Sequence, residues 1–224
     1  MTIDIELKNA MAEVLPGASL QRRRLPECPA VQLALLHAAG FDRRFDPTAV
    51  QRIMDQPLYW LFCWASGHVL ARHLLERPEV VAGRRVLDFG CGSGVVAIAA
   101  ALAGAREVIA CDNDDLALRA TACNAQLNRV SLDLRDDYAA VSGALDVIVV
   151  ADVLYDRANL GWLQEFSERA PVVLLADSRI RDFAVPPYRR VASFESCTVP
   201  DLDESREFNR VAIYRADRPA SSAG

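Results

Sequence analysis

Three glycines at alternate positions, Gly90, Gly92 and Gly94, follow an aspartate in the stretch Val86-Leu87-Asp88-Phe89-Gly90-Cys91-Gly92-Ser93-Gly94. The residues before them read as a strand and those after them as a buried helix. Glycines in such a turn let the backbone bend tightly and approach a ligand closely. Two features argue against a ligand carrying a pyrophosphate. A dinucleotide turn is spaced G-x-G-x-x-G, and its third glycine would fall on Val95. The Asp88 carboxylate, two residues before the first glycine, would repel phosphate charge near the helix end.

S-adenosylmethionine reverses that sign, because it carries an ammonium and a sulfonium and no phosphate. Asp88, directly or through a water, can pair with its cationic methionine end. Asp112 ends the next strand, where a carboxylate can accept hydrogen bonds from both ribose hydroxyls. A cap for the helix beginning near Asn113 is the other reading of Asp112. Asp136 and Asp137 follow the third strand, near where an adenine amine would lie, although acids are common in turns. Asp152 lies just past the fourth strand. Ligands in open α/β sheets bind outside the carboxyl ends of the strands, so Asp152 should face the methyl donor. It could instead cap a helix before Arg157.

These residues need a scaffold, and the chain alternates short apolar runs with helical patterns. Leu70, Leu74 and Leu75 recur at helical spacing until Pro78. Strands are expected at Arg85–Phe89, Glu107–Cys111, Val130–Leu134, Asp146–Val150 and Val172–Ala176. Helices are expected at Val95–Ala103, Asp114–Leu127 and Asn159–Arg169. Tyr188–Ser196 and Glu207–Tyr214 follow without a helix between them, which suggests an antiparallel hairpin at one edge. The fold class is therefore α/β: a Rossmann-like doubly wound sheet of seven strands with an antiparallel last strand. Residues 1–56 read as an N-terminal helical extension, with a helix start at Asp46-Pro47, Ala49 to Met54 following, and Pro57 closing it. The main domain covers 57–215, and 216–224 reads as a disordered tail.

Composition limits the partners. The 224 residues carry a formal net charge of −5, so a broad phosphate-binding surface is not expected and nucleic acid is not a predicted partner. Arg22, Arg23 and Arg24 form the one basic run, consistent with a solvated surface, and Lys8 is the single lysine. The six cysteines form no C-x-x-C pair and the three histidines lie far from metal-ligand spacings, so no metal is expected. The start, MTIDIELKNAM, lacks the basic-then-apolar pattern of a leader. The longest uncharged run, near Gly94 to Ala105, is shorter than the roughly 20 residues that span a bilayer. A cytoplasmic protein with no membrane partner is expected.

From about Pro26 to Tyr214 the chain resembles the seven-strand protein lysine methyltransferases, in particular the electron-transfer flavoprotein beta-subunit lysine methyltransferase group and its bacterial relatives. Four stretches carry the resemblance: Pro57-to-Gly67 PLYWLFCWASG, Val86-to-Gly94 VLDFGCGSG, Ala110-to-Asp112 with the helix after it, and Ala151-to-Asp156 ADVLYD. The resemblance implies that Trp64 lies against the cofactor and that Ala151 contacts it from a strand end. It implies that Asp152 and Tyr155 face the reacting amine. It further implies a protein substrate with an accessible lysine, the electron-transfer flavoprotein beta subunit being one candidate. Without it, Trp64 in its aromatic run reads more often as core. Pro186-Pro187-Tyr188 is similar to the proline motif of base-amine methyltransferases, but that motif belongs at the fourth strand end. Asp177-Ser178-Arg179-Ile180-Arg181 departs from the Asp-Pro-Gly-like turn of the flavoprotein-modifying enzymes, which leaves the target protein open. A small-molecule amine methyltransferase and a non-catalytic cofactor-binding module remain as alternatives.

Overall fold

The runs Val86-Leu87, Val108–Ala110, Val147–Val150 and Val172–Leu175 are apolar at every position, and all are buried. Strands covered on both faces read this way, because every side chain meets a helix layer. A computed structural model of the chain describes residues 4–37, 58–153, 157–180, 183–202 and 209–218. In it these runs form β3 (Arg85–Phe89), β4 (Glu107–Cys111), β6 (Val147–Ala151) and β7 (Val172–Asp177), with the short β5 at Asp133–Arg135. β8 (Arg189–Glu195) and β9 (Arg210–Asp217) complete a seven-stranded sheet of order β5-β4-β3-β6-β7-β9-β8. The first five strands are parallel; β9 runs antiparallel to both β7 and β8.

One face is covered by α2 (Ala65–Glu76) and α3 (Val95–Leu102), whose Val69, Leu70, Leu74, Val96 and Ile98 join Val86, Val149 and Leu174 in one core. α4 (Asp115–Asn128) adds Leu118 to it. The other face is covered by α5 (Trp162–Arg169), which buries Leu163 and Phe166. There Phe89, Tyr138, Trp162 and Phe166 pack ring on ring, with Phe89 and Phe166 centroids 4.8 Å apart. Among the described residues no helix is long and apolar enough to cross a membrane.

The N-terminal stretch differs from the helical reading of 1–56. α1 (Ile5–Val14) is helical, capped by the Asp4 carboxylate, which accepts from the Glu6 N–H at 2.8 Å. Its Leu7, Met11 and Val14 pack with Trp60, Leu61, Phe62, Ala117 and Ala120. Beyond it, β1 (Ser19–Arg24) and β2 (Gln32–His37) form an antiparallel hairpin. β2 is QLALLH with its four central residues buried, so no period-two alternation marks it as a strand. Its exposed edge groups are satisfied by α4 instead: the Ala34 N–H donates to Asn124 Oδ1 at 2.7 Å, and Asn128 exchanges two hydrogen bonds with the Gln32 backbone. The helix expected after Asp46-Pro47 and the closing Pro57 lie outside the described residues. At the other end, β9 includes Ala216 and Asp217, so those two residues are strand and not tail.

Candidate functional site

The glycine turn links β3 to α3, and all three of its glycines have positive φ: 71° at Gly90, 52° at Gly92 and 78° at Gly94. L-residues adopt this left-handed backbone only at a cost of roughly 1–2 kcal/mol. The glycines nevertheless differ in surroundings. A Cβ on Gly94 would lie 2.8 Å from Thr121 Oγ1, so that glycine is required by packing on α4. A Cβ on Gly90 would approach Val153 at 3.0 Å. A Cβ on Gly92 would meet nothing within 4 Å, so Gly92 borders open space.

The turn is held from two sides. The Cys111 carbonyl, at the end of β4, accepts from the N–H groups of Gly90 and Cys91 at 2.8 and 3.1 Å. From α4, the Thr121 hydroxyl donates to the Gly92 carbonyl at 3.1 Å and the Asn124 amide to the Ser93 carbonyl at 2.8 Å. Thr121 and Asn124 are three apart on one helix face, which brings both over the turn. The sequence reading missed both, although a polar stripe in an alanine-rich helix was the available signal.

Asp112 sits at the end of β4 as expected. Its Oδ2 accepts from the Gly92 N–H at 2.9 Å and its Oδ1 from the Asp114 N–H at 3.1 Å. The helix-cap reading does not hold, because α4 is capped by Asp114, whose carboxylate accepts from the Leu116 N–H. Asp112 therefore fixes the turn in addition to standing beside it. Burial raises its pKa above the ordinary carboxylate value, and the backbone N–H donors oppose that shift.

Asp88 is buried and works from behind the turn. Its Oδ2 accepts from the Ala97 N–H in the first turn of α3 at 2.9 Å. The N-cap of α3 is Gly94, which has no side chain, so Asp88 supplies the missing cap from the strand. Burial pushes its pKa up to about 7. Trp64 is half-buried at the N-cap of α2, its indole N–H bound to the Tyr59 carbonyl at 2.9 Å. It packs against the same hydrophobic cluster as Leu116 of α4. Asp136 and Asp137 are exposed, and Asp137 caps the short turn at Tyr138–Ala140.

Asp152 follows Ala151, the last residue of β6, and has φ 53°, an uncommon conformation for a residue with a side chain. Its carboxylate reaches the first turn of α2. Oδ1 accepts from the Ser66 hydroxyl at 2.5 Å and Oδ2 from the Ser66 N–H at 3.2 Å. α2 has no side-chain cap of its own, so Asp152 serves that end of the helix. The alternative reading, a cap before Arg157, is replaced by a cap on a helix far away in sequence. Ser66 is fully buried and was not foreseen. Burial is the first cause raising the Asp152 pKa to about 7; the Ser66 hydroxyl opposes it and the charge of Asp177 adds to it. Tyr155 lies outside the described residues.

The structure thus brings Gly90, Gly92, Asp112, Trp64, Ala151 and Asp152 to the carboxyl ends of β3, β4 and β6, with Asp88 beneath. The fold is that of a Rossmann-like methyltransferase. The crystal structure of magnesium protoporphyrin IX methyltransferase from Synechocystis PCC 6803 with bound SAM matches with a TM-score of 0.52 at 19% identity, over 69% of this chain and 80% of that chain. Residues 70–160 match the family described as ribosomal protein L11 methyltransferase (PrmA). It is 46% identical over 111 residues to the electron transfer flavoprotein beta subunit lysine methyltransferase of Danio rerio, covering 48% of this chain and 43% of that protein. The Xenopus laevis protein of the same name is 37% identical over 140 residues, covering 59% and 57%. The chain spans about half the length of the curated relatives it matches. The resemblance read from the sequence is borne out.

Proposed function

We propose that this chain transfers methyl groups from S-adenosylmethionine to a lysine ε-amine of a protein substrate. The observation that carries the proposal is one arrangement: a glycine turn bordering open space at Gly92, with an anchored carboxylate, Asp152, on the neighbouring strand end. The relatives named above support it, since they are lysine or ribosomal-protein methyltransferases by name. The electron-transfer flavoprotein beta subunit is a candidate target on the same ground.

The residues suit the cofactor by charge. Asp88 and Asp112 set negative charge around the turn, which favours a cationic ligand over a pyrophosphate. Gly90, Gly92, Trp64, Asp112 and Ala151 would hold S-adenosylmethionine, and Asp88 would favour its cationic end. The bound cofactor supplies an electrophilic methyl group on a sulfonium.

The acceptor amine must be neutral to attack. From a reference pKa near 10.4, deprotonation at pH 7 costs roughly 4.6 kcal/mol. Burial lowers that pKa, whereas a carboxylate favours the ammonium. Asp152 is held at two points by Ser66, so its first role is to orient the amine; with a pKa near 7 it can also take up a proton. Alignment and exclusion of water supply the rest of the acceleration. Tyr155, by resemblance, would wall the alkyl stem or hold the cationic head over its ring.

The test is incubation of the purified chain with methyl-labelled S-adenosylmethionine and a lysate of cells lacking the gene. Labelled protein bands are expected. Labelled small molecules would favour a small-molecule amine methyltransferase. Cofactor binding without any label would favour a non-catalytic module.

A further inference from the structure

Asp177 ends β7, next to β6, and Ala151 and Ala176 are paired across the two strands. Asp152 and Asp177 are therefore the first residues beyond that pair, and the Asp152 N–H donates to the Ala176 carbonyl at 3.2 Å. The two carboxylates are used differently. Both oxygens of Asp152 accept from Ser66. Asp177 Oδ1 accepts from the N–H groups of Arg179 and Ile180 at 2.7 and 2.8 Å, which fixes the turn after the strand. Asp177 Oδ2 has no hydrogen-bond partner among the described residues, although the residue is only 2% exposed.

A buried carboxylate oxygen without a donor is costly and needs an explanation. Its location supplies one, at the same end of the sheet as the methyl donor's turn and beside the carboxylate that orients the acceptor. Resting on the function proposed above, we infer that Asp177 is a second substrate-contacting carboxylate, whose Oδ2 accepts an N–H of the incoming lysine ammonium. The amine then meets two fixed acceptors instead of one, Asp152 tied to α2 and Asp177 tied to its own turn. Two acceptors on a tetrahedral nitrogen restrict its rotation and aim its remaining direction. Burial is the first cause raising both the Asp152 and the Asp177 pKa; the charge of Asp177 adds to the shift of Asp152, and the nearby Arg179 charge opposes both. The arrangement trades stability of the free protein for recognition of a cation.

Asp177→Asn tests this, because asparagine keeps an oxygen for the Arg179 and Ile180 N–H groups and removes the charge. Three quantities are measured on wild type and variant: S-adenosylhomocysteine affinity by calorimetry, melting temperature at pH 8, and label incorporation over a dilution series of the gene-deleted lysate. The expected result is cofactor-product affinity within about threefold, a higher melting temperature, and incorporation reduced at least about tenfold, largely through a higher apparent KM. A turn-holding residue alone would give an unchanged or lower melting temperature with incorporation retained. Incorporation within about twofold of wild type overturns the inference. Should Asp177→Asn fail to fold, Asp177→Ser, which retains a turn-capping oxygen, is read by the same criteria. Wild type that neither binds S-adenosylhomocysteine nor incorporates label overturns the proposed function itself, a result distinct from failure of the variant.

Discussion

At the carboxyl ends of one sheet, β3 and β4 present a site made of backbone, whereas β6 and β7 present one made of side chains. On the first side, the proposed contact surface is the left-handed glycine turn, and side chains hold it: Asp112, Thr121 and Asn124 all bond to the turn itself. On the second side, the proposed contact surface is the carboxylates, and backbone and hydroxyl groups hold them: Ser66 for Asp152, the Arg179–Ile180 turn for Asp177. A backbone surface suits a ligand that never changes. A side-chain surface can be altered one residue at a time, which suits an acceptor that differs between related proteins. The sequence departs from the flavoprotein-modifying group at Asp177–Arg181, on this second side.

Substitutions that confuse the two sides should have separable effects. The largest is expected at Gly92. Gly92→Val puts a β-branched side chain into the open space of the turn, so S-adenosylmethionine affinity should fall by more than about 100-fold while the far-ultraviolet circular dichroism stays native. Left-handed strain adds roughly 1–2 kcal/mol to the cost. Normal calorimetric affinity in a folded Gly92→Val variant would remove Gly92 from the site.

Next comes Asp152→Asn. It keeps an acceptor oxygen for Ser66 and loses the charge. Losing a charge-assisted contact of about 1.5–3 kcal/mol in the transition state slows transfer about 10- to 150-fold. Cofactor affinity should change little. If Asp152 were only the cap of α2, asparagine would serve nearly as well and turnover would survive.

A smaller effect is expected at Asn124, which joins the turn to β2. Asn124→Ala leaves the buried Ala34 N–H and the Ser93 carbonyl without their partner. The cost should be about 1–3 kcal/mol in urea unfolding, with weaker cofactor binding as the turn loosens. Full stability would show that water replaces the amide.

The smallest effect is a pH dependence. Asp88 and Asp152 both have folded-state pKa values raised to about 7 by burial. A raised carboxylate pKa means that the folded state binds more protons than the unfolded one in this window. Their contribution to stability is therefore present at low pH and is lost as pH rises from about 4 to about 7. The melting temperature of Asp88→Asn, which lacks one of these groups, should fall less over that range than that of the wild type. An equal fall in both proteins would mean that Asp88 keeps an ordinary pKa.

The same contrast explains what could be read from the sequence. Four of the parallel strands were legible because double burial makes their central runs apolar, and the glycine turn because its spacing is local; β5 is Asp133–Arg135, polar and half-buried, where a strand was expected at Val130–Leu134. The positions of Asp112 and Asp152 were legible because each directly follows a strand. Their partners were not. Ser66 lies far from Asp152 in the chain, and Asn124 far from Ala34, so nothing local couples them. The β1–β2 hairpin escaped notice because β2 is buried along its length and shows no alternation. Asp177 carried a signal only as a departure from a related group's turn.

The most direct test of methyl transfer to protein lysine is quantitative mass spectrometry of lysine methylation in cells with and without this gene. The account predicts at least one protein whose lysine methylation disappears with the gene and returns with the wild-type chain, but not with Gly92→Val. Identical lysine methylation in both cell populations, alongside intact binding of S-adenosylmethionine by the purified chain, would contradict it.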